Sequence, residues 1–132
     1  MKASLSNYRQ SPRKVRLVAQ LIRGKSVKQA REALSFLPKK SAPDMLKLLD
    51  SALANASATG ASGDNLVIKT VTVNKGNVLR RYMPKARGRA ARFHRTMSHV
   101  SLELAPEAEA KTKGAKKAVR KTATKKTEKS DS

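Results

Sequence analysis

The chain contains no cysteine and no tryptophan, and its only aromatic residues are two tyrosines and two phenylalanines. Without cysteine it can form neither disulfide bonds nor thiolate metal sites. Its two histidines are too few to supply the ligands of a structural zinc site. The sequence therefore predicts no metal, no cofactor and a modest core made of aliphatic side chains.

Acidic residues are also scarce: there are 9 Asp and Glu against 30 Lys and Arg, so the formal net charge is +21. A charge this large favours polyanionic partners, with nucleic acid first and an anionic membrane surface second. No apolar run approaches the roughly 20 residues that span a bilayer. The first residues, MKASLSNYRQ, lack the apolar segment of a signal peptide. We therefore expect a cytoplasmic protein that does not act in a membrane.

The composition changes near Pro106. Before it, apolar residues recur with helical or strand periods, which predicts one domain over residues 1–105. After it, residues 106–132 form a basic Ala/Lys-rich tail in which Val119 is the only large apolar side chain. Such a segment cannot bury enough apolar surface to offset the entropy of ordering, so the tail is predicted to be disordered.

Three helices are predicted before residue 60. Ser11 and Pro12 are typical of a helix start, and Gly24 is typical of an end. Between them lies an apolar stripe with helical spacing. Its members are Val15, Leu17, Val18, Leu21 and Ile22.

The second and third helices have their own start and stop signals. Ser26 to Gln29 matches a capping box, and Pro38 ends the helix that follows. The third helix is predicted to begin near residues 41–43 and to end by Ser57.

The apolar period then changes to two, which is typical of strands. LVIKTVTVN at 66–74 and SHVSLEL at 98–104 are the predicted strands, and residues 3–8 form a third, weaker candidate. The predicted fold is α+β, with three helices packed on a small three-stranded antiparallel sheet. A long protruding basic β-hairpin, at about residues 74–98, is expected to join the last two strands.

The centre of that hairpin, RRYMPKARGRAARFHR at 80–95, contains seven Lys and Arg residues and no acid. A structureless loop of this length would be unusual in a compact domain, so a continued hairpin is the more economical interpretation. At roughly 3.3 Å per residue it would reach about 40 Å, well beyond a body of about 13 Å radius of gyration.

A tight turn at Arg87 and Gly88 would place Tyr82 opposite Phe93, and Arg80 opposite Arg95. Like charges that face each other destabilise a strand pair, and an isolated two-stranded ribbon is marginal. We therefore expect the hairpin to be mobile in the free protein and ordered by phosphate.

RNA fits these side chains. Arginine matches phosphate with two parallel hydrogen bonds and stacks on bases, and the two rings offer stacking surfaces for unpaired bases or pack on each other. If the hairpin neutralises about six phosphates, log K should fall with log salt at a slope of roughly −4 to −5.

Several stretches together resemble a known family. SPRKVRLVAQLIRGKSV, LDSALANA and RYMPKARGRAAR before SHV resemble the twenty-second protein family of the large ribosomal subunit, over residues 3–104. Members usually carry Lys-Arg-Thr-Ser-His before the last strand, whereas this chain reads RTMSH at 95–99 and has one cation fewer. The tail has no counterpart in the common core of the family.

The resemblance implies a non-enzymatic, monomeric constituent of the ribosome that binds large-subunit RNA, contacts neighbouring ribosomal proteins and supports assembly. It implies that the hairpin tip lines the nascent-peptide exit tunnel and meets the nascent peptide. The implied tip residues are Met83, Pro84, Lys85, Ala86, Arg87, Gly88 and Arg89. The residues predicted to contact RNA are Lys14, Arg16, Lys25, Arg80, Arg81, Tyr82, Lys85, Arg87, Arg89, Arg92, Phe93 and Arg95.

Other interpretations of individual motifs are weaker. Gly24-Lys25-Ser26 resembles the end of a P-loop, but Ala19 stands where the first glycine is needed, which favours a helix junction. No carboxylate is placed to orient His94 or His99, so catalysis is not expected. His99 is instead expected to pack at the base of the hairpin.

The main alternative function is that of an architectural DNA-binding protein of the nucleoid type, because such proteins also combine helices with basic β-arms. Those proteins form dimers through large apolar interfaces. Here the apolar helical stripes are needed to cover one small sheet.

Overall fold

The structure is a computed structural model that describes residues 1–61 and 65–106. The order is strand, three helices and two long strands, as predicted. The strands form one antiparallel sheet in the order β1-β3-β2. Nearly all of the predicted tail lies outside the described residues. The elements are β1 (Lys2–Tyr8), α1 (Pro12–Ile22), α2 (Val27–Ser35), α3 (Ala42–Ala58), β2 (Leu66–Pro84) and β3 (Ala90–Pro106).

The helix boundaries follow the local signals. Pro12 is the first residue of α1, and Gly24 has a φ of 77° just beyond its end. The Ser26 side chain accepts a hydrogen bond of 3.4 Å from the backbone N–H of Gln29, as expected of a cap. The Gly24 region is a helix junction, as predicted, because the Gly24 N–H donates to the Ile68 carbonyl at 3.0 Å.

The core lies between the helices and one face of the sheet. Val15, Val18 and Ile22 of α1 are buried, together with Leu102 and its neighbours on the strands. The predicted stripe of α1 was too wide: Leu17 is 66% exposed and Leu21 is 39% exposed. A single sheet face can cover only one side of a helix, and Ala19 is buried on that side instead.

Two arginines protect the outer edge of β2. One is Arg16 of α1, and the other is Arg23, the residue that caps the C-terminal end of α1. The Arg16 guanidinium donates to the Val73 carbonyl from Nε at 3.2 Å and from Nη2 at 3.1 Å. Arg23 Nη2 donates to the Val71 carbonyl at 2.7 Å. Since β2 is at the edge of the sheet, these bonds satisfy carbonyls that could otherwise pair with another chain.

Replacing Arg16 by Ala should lower the free energy of unfolding by about 1–2 kcal/mol, because it removes two charge-assisted bonds to one carbonyl. Urea denaturation measures this change. The matched control is Arg13→Ala, which makes the same substitution at an exposed position of the same helix and should leave stability unchanged. Equal losses in the two variants would show that the edge contact contributes nothing.

Candidate nucleic-acid interface

The last two strands continue far beyond the body as a paired ribbon, which confirms the predicted hairpin. Pairing runs from Lys75 opposite Ser98 to Pro84 opposite Ala90, with one irregularity between Lys75 and Val78. We call residues 75–98 the arm and the remaining described residues the body. All residues from Arg80 to Ala90 are exposed, and the sequence between Leu66 and Leu102 contains no acid.

The turn at the arm tip differs from the predicted two-residue turn. Five residues, Lys85 to Arg89, separate the last strand pair, and the Lys85 N–H donates to the Arg89 carbonyl at 2.7 Å. Both Arg87 (φ 59°) and Gly88 (φ 68°) have left-handed backbone conformations. The odd number of turn residues moves the strand register by one residue from the predicted one.

This register changes the pairs that face each other. Arg80 lies opposite His94 rather than Arg95, and Tyr82 lies opposite Arg92 rather than Phe93. No two guanidinium groups of the arm are directly opposite, so the expected repulsion across the ladder is smaller. Because facing residues share one side of the ribbon, Tyr82 and Phe93 lie on opposite sides and do not pack on each other.

Each aromatic ring of the arm has an arginine over it instead. The Arg92 guanidinium carbon lies 5.9 Å from the centre of the Tyr82 ring, and that of Arg95 lies 5.6 Å from the centre of the Phe93 ring. Both distances fit cation–π contacts. Each side of the ribbon therefore presents one ring and its arginine, a combination that can contact a base and a phosphate together.

His99 packs at the base of the arm, as predicted. Its Nδ1 accepts a hydrogen bond of 3.1 Å from the backbone N–H of Asn7, which has a φ of 54°. A Cβ atom on Gly76 would lie only 3.0 Å from His99 Nε2, so a larger residue at this position would require the ring to shift by a few tenths of an ångström. His99 thus links β1 to the point where the arm leaves the body.

The body residues that were predicted to contact RNA lie in different settings. Lys14 is exposed near the start of α1, and Lys25 is half-buried in the junction beside β2. The Arg16 guanidinium already binds the Val73 carbonyl. The contacts of these residues and of the arm residues with RNA stay predictions.

The sequence did not single out the exposed surface between α2 and α3. Phe36, at the end of α2, is 87% exposed, and the connection that follows carries Lys39 and Lys40 on the surface. In the sequence this surface corresponds to an aromatic residue followed by two lysines. The same pattern occurs in partly buried turns, so it does not identify an exposed surface.

A cavity of about 570 Å³ lies where the arm meets the body. Among its lining residues are Tyr8 and Asp44, with His94 and Arg95 of the arm. The Tyr8 hydroxyl is buried and has no hydrogen-bond partner among residues 1–61 and 65–106. Burial raises the pKa of the Tyr8 phenol, and the Asp44 carboxylate raises it further.

Tyr8 should make the body less stable at high pH. An unfolded tyrosine ionises near pH 10, whereas the folded pKa is higher, so the folded state retains a proton that the unfolded state releases. This contribution is fully present below about pH 10 and is lost as the pH rises toward the folded pKa. Tyr8→Phe should therefore lose less stability between about pH 8 and about pH 11 than the native chain, as measured by urea denaturation. Parallel pH curves for the two chains would contradict this.

No helix among the described residues is long and apolar enough to cross a membrane. Over the same residues, the side chains form no cluster of His, Asp and Glu that could hold a metal ion. A small α+β body that extends its own sheet into an exposed cationic ribbon is typical of the class of proteins that assemble with nucleic acid.

The comparison with known sequences is specific. The profile of the family described as "Ribosomal protein L22p/L17e" matches residues 3–105. "Large ribosomal subunit protein uL22" of Trichlorobacter lovleyi is 50% identical over 103 residues, which cover 77% of this chain and 91% of the relative. The protein of the same name from Herpetosiphon aurantiacus is 49% identical over 102 residues, covering 76% and 90%.

The chain belongs to this L22p/L17e family of ribosomal proteins. It is a protein of the large ribosomal subunit and not an enzyme, and its place in the cell is the cytoplasmic ribosome. The DNA-binding alternative is not supported by these relatives.

Proposed function

We propose that the chain binds large-subunit ribosomal RNA with its arm and body, supports subunit assembly, and places the arm tip in the wall of the nascent-peptide exit tunnel. The proposal includes a single copy of the chain in each subunit and contacts with neighbouring ribosomal proteins. Residues 1–105 act as the RNA-binding domain, in keeping with the extent of the family match.

The observation that carries this proposal is the arm itself. A two-stranded ribbon exposed on both sides buries little apolar surface of its own. Its cations have no acid nearby in the sequence, and its two rings are placed on opposite sides. A folded RNA that surrounds the ribbon would supply phosphate to both sides at once, which a partner on one side alone could not do.

The tip is suited to a tunnel wall because it is narrow and ends in a turn that is closed by a backbone hydrogen bond. Pro84 restricts the backbone before the turn, and the bond between Lys85 and Arg89 closes the turn. Its exposed side chains are cationic or small, with Met83 the large apolar one. A nascent peptide passing the tip would therefore meet a positive, mostly hydrophilic surface.

Because the chain has no cysteine, one introduced cysteine gives a unique attachment point. We expect a photoreactive group on Ala86→Cys, in assembled subunits that hold a stalled nascent chain, to crosslink to that chain. The same group on Ser51→Cys, on the exposed side of α3, should give no such crosslink. Incorporation of the labelled protein without any crosslink from the tip would refute the tunnel assignment.

A further inference from the structure

A second concave surface lies on the body, next to the base of the arm. One cavity of about 580 Å³ is bordered by the β1–α1 connection, by α1 and by the α2–α3 connection. The cavity of about 570 Å³ at the arm base shares Arg9, Gln10, Ser11 and Lys40 with it. We call the two together the groove. It runs from the α2–α3 connection to His94 and Arg95 of the arm.

The walls of the groove are strongly cationic. Arg9, Lys14, Lys39 and Lys40 come from three separate segments of the chain and are all exposed. Within the part of the chain that the structure describes, none of the four has a carboxylate within salt-bridge distance. Among the residues that the structure describes, Asp44 is the only acid that lines either cavity. Cations without partners that converge on a concave surface favour a polyanionic occupant.

Apolar side chains form part of the lining. Leu17 and Val18 lie in the first cavity, and Leu79 and Met97 lie in the second. Leu17 is the leucine that the helix leaves 66% exposed, so it offers apolar surface to a partner. Cationic walls beside apolar lining match a nucleic-acid strand, whose phosphates bind lysine and arginine while its bases contact apolar surface.

The size of the groove indicates which form of nucleic acid fits. Cavities of several hundred cubic ångströms have the volume of typical small-molecule sites. Together, two such cavities can hold a few nucleotides. A duplex is too wide to enter them, and proteins recognise single-stranded loops and bulges by their splayed bases. An acidic peptide would also suit the charge, but every residue of a nucleic-acid strand carries both a phosphate and a base face, which favours the strand for a surface that is cationic and partly apolar.

We propose that the groove binds a short unpaired stretch of large-subunit RNA that leads from the body to the arm. Its phosphates contact Arg9, Lys39 and Lys40, and its bases lie against Leu17 and Leu79. This inference rests on the proposed RNA-binding function and adds a site with residues outside the arm.

Tethered cleavage tests the site in the full-length chain mixed with large-subunit RNA. Gln10 lines both cavities and is uncharged, so Gln10→Cys carries an iron–EDTA group without removing a cation. We expect radicals from this position to cut a short unpaired RNA segment. Ser51→Cys, outside the groove, is the control and should leave that segment intact, and Ala86→Cys should cut RNA around the arm tip.

The outcomes separate the two proposals. Cuts from the arm tip without cuts from Gln10 would overturn the groove and leave RNA binding by the arm standing. Absence of cuts from both positions would overturn RNA binding altogether. Cuts from Gln10 confined to duplex RNA, or cleavage of a neighbouring protein alone in the assembled subunit, would also overturn the groove.

Affinity measurements give a second test, in which removing cations from the groove should weaken RNA binding and removing its acid should strengthen it. Lys39→Ala with Lys40→Ala should weaken RNA binding about tenfold, and the log–log salt slope should become smaller by about 1.5. The charge-matched pair Lys47→Ala with Lys69→Ala, both exposed outside the groove, should weaken it by less than about threefold. Asp44→Asn removes the acid of the groove and should strengthen binding more than Asp50→Asn, which removes the same charge outside the groove. Equal effects of the two lysine pairs would contradict the groove.

Discussion

Replacing Arg81 and Arg92 by Ala should weaken binding to large-subunit RNA by about 10- to 100-fold at moderate salt, because each removes a charge-assisted contact with phosphate. The two arginines lie on opposite sides of the ribbon, since Arg81 faces Phe93 and Arg92 faces Tyr82. Their joint removal therefore tests whether RNA surrounds the arm. The log–log salt slope should become smaller by about 1.4–1.8.

The double variant should fold normally. Both side chains are exposed and neither contributes to the core, so the melting temperature of the body should change little. Lys47→Ala with Lys69→Ala again provides the same loss of charge at sites away from the arm and the groove. If that pair weakens binding as much as the arm pair does, the arm is only a source of net charge and has no specific role. A large fall in melting temperature of the arm variant would show that the arm belongs to the core.

Leu102→Ala should have the largest effect on stability, a loss of about 2–5 kcal/mol in the free energy of unfolding. Leu102 is fully buried on the central strand β3, where it faces Ala3 of β1 and Val71 of β2. Removing its side chain leaves a cavity that the three strands and the helices above them cannot close. Urea denaturation followed by circular dichroism measures the loss.

Leu17→Ala is the control, because it makes the same leucine-to-alanine substitution at an exposed position. Leu17 is 66% exposed, so its removal should change the free energy of unfolding by no more than about 0.5 kcal/mol. Similar losses at the two positions would place Leu17 in the core and contradict the orientation of α1. Loss of RNA affinity in Leu17→Ala without loss of stability would agree with its place in the groove.

The order and type of the elements could be predicted from local sequence. Pro12, the Ser26 to Gln29 cap and the alternation from residue 66 onward act within a few residues, so they can be recognised without tertiary structure. The resemblance to the ribosomal family was confirmed by the match over residues 3–105. The continuation of the last two strands as a basic hairpin followed from its length and composition.

The register of the arm could not be predicted because it depends on the backbone of the turn. Either a two-residue or a five-residue connection is compatible with MPKARGRA, and the choice moves every partner by one position. The pairing found in the structure separates the guanidinium groups, which a count of charges alone does not reveal. Tyr82 and Phe93 were consequently assigned to one pair although they lie on different sides.

Contacts between distant segments were also beyond local patterns. Arg16 lies on α1 and was expected to contact RNA, yet its guanidinium is hydrogen-bonded to Val73, 57 positions away. The groove joins Arg9, Lys14 and Lys40, which have no common motif and come together only after α1 packs on the sheet. A basic residue in the sequence therefore indicates charge, and only the fold shows whether that charge is satisfied internally or available to a partner.

The most direct test of the central claim is amide hydrogen exchange of the arm in the free protein and in its complex with large-subunit RNA. We expect the amides of residues 78–95 to exchange rapidly in the free chain and to become strongly protected in the complex. Those of residues 100–104 in the body should be protected in both. Arm amides that are as well protected as the body amides without RNA, and that do not change when RNA is added, would contradict the account.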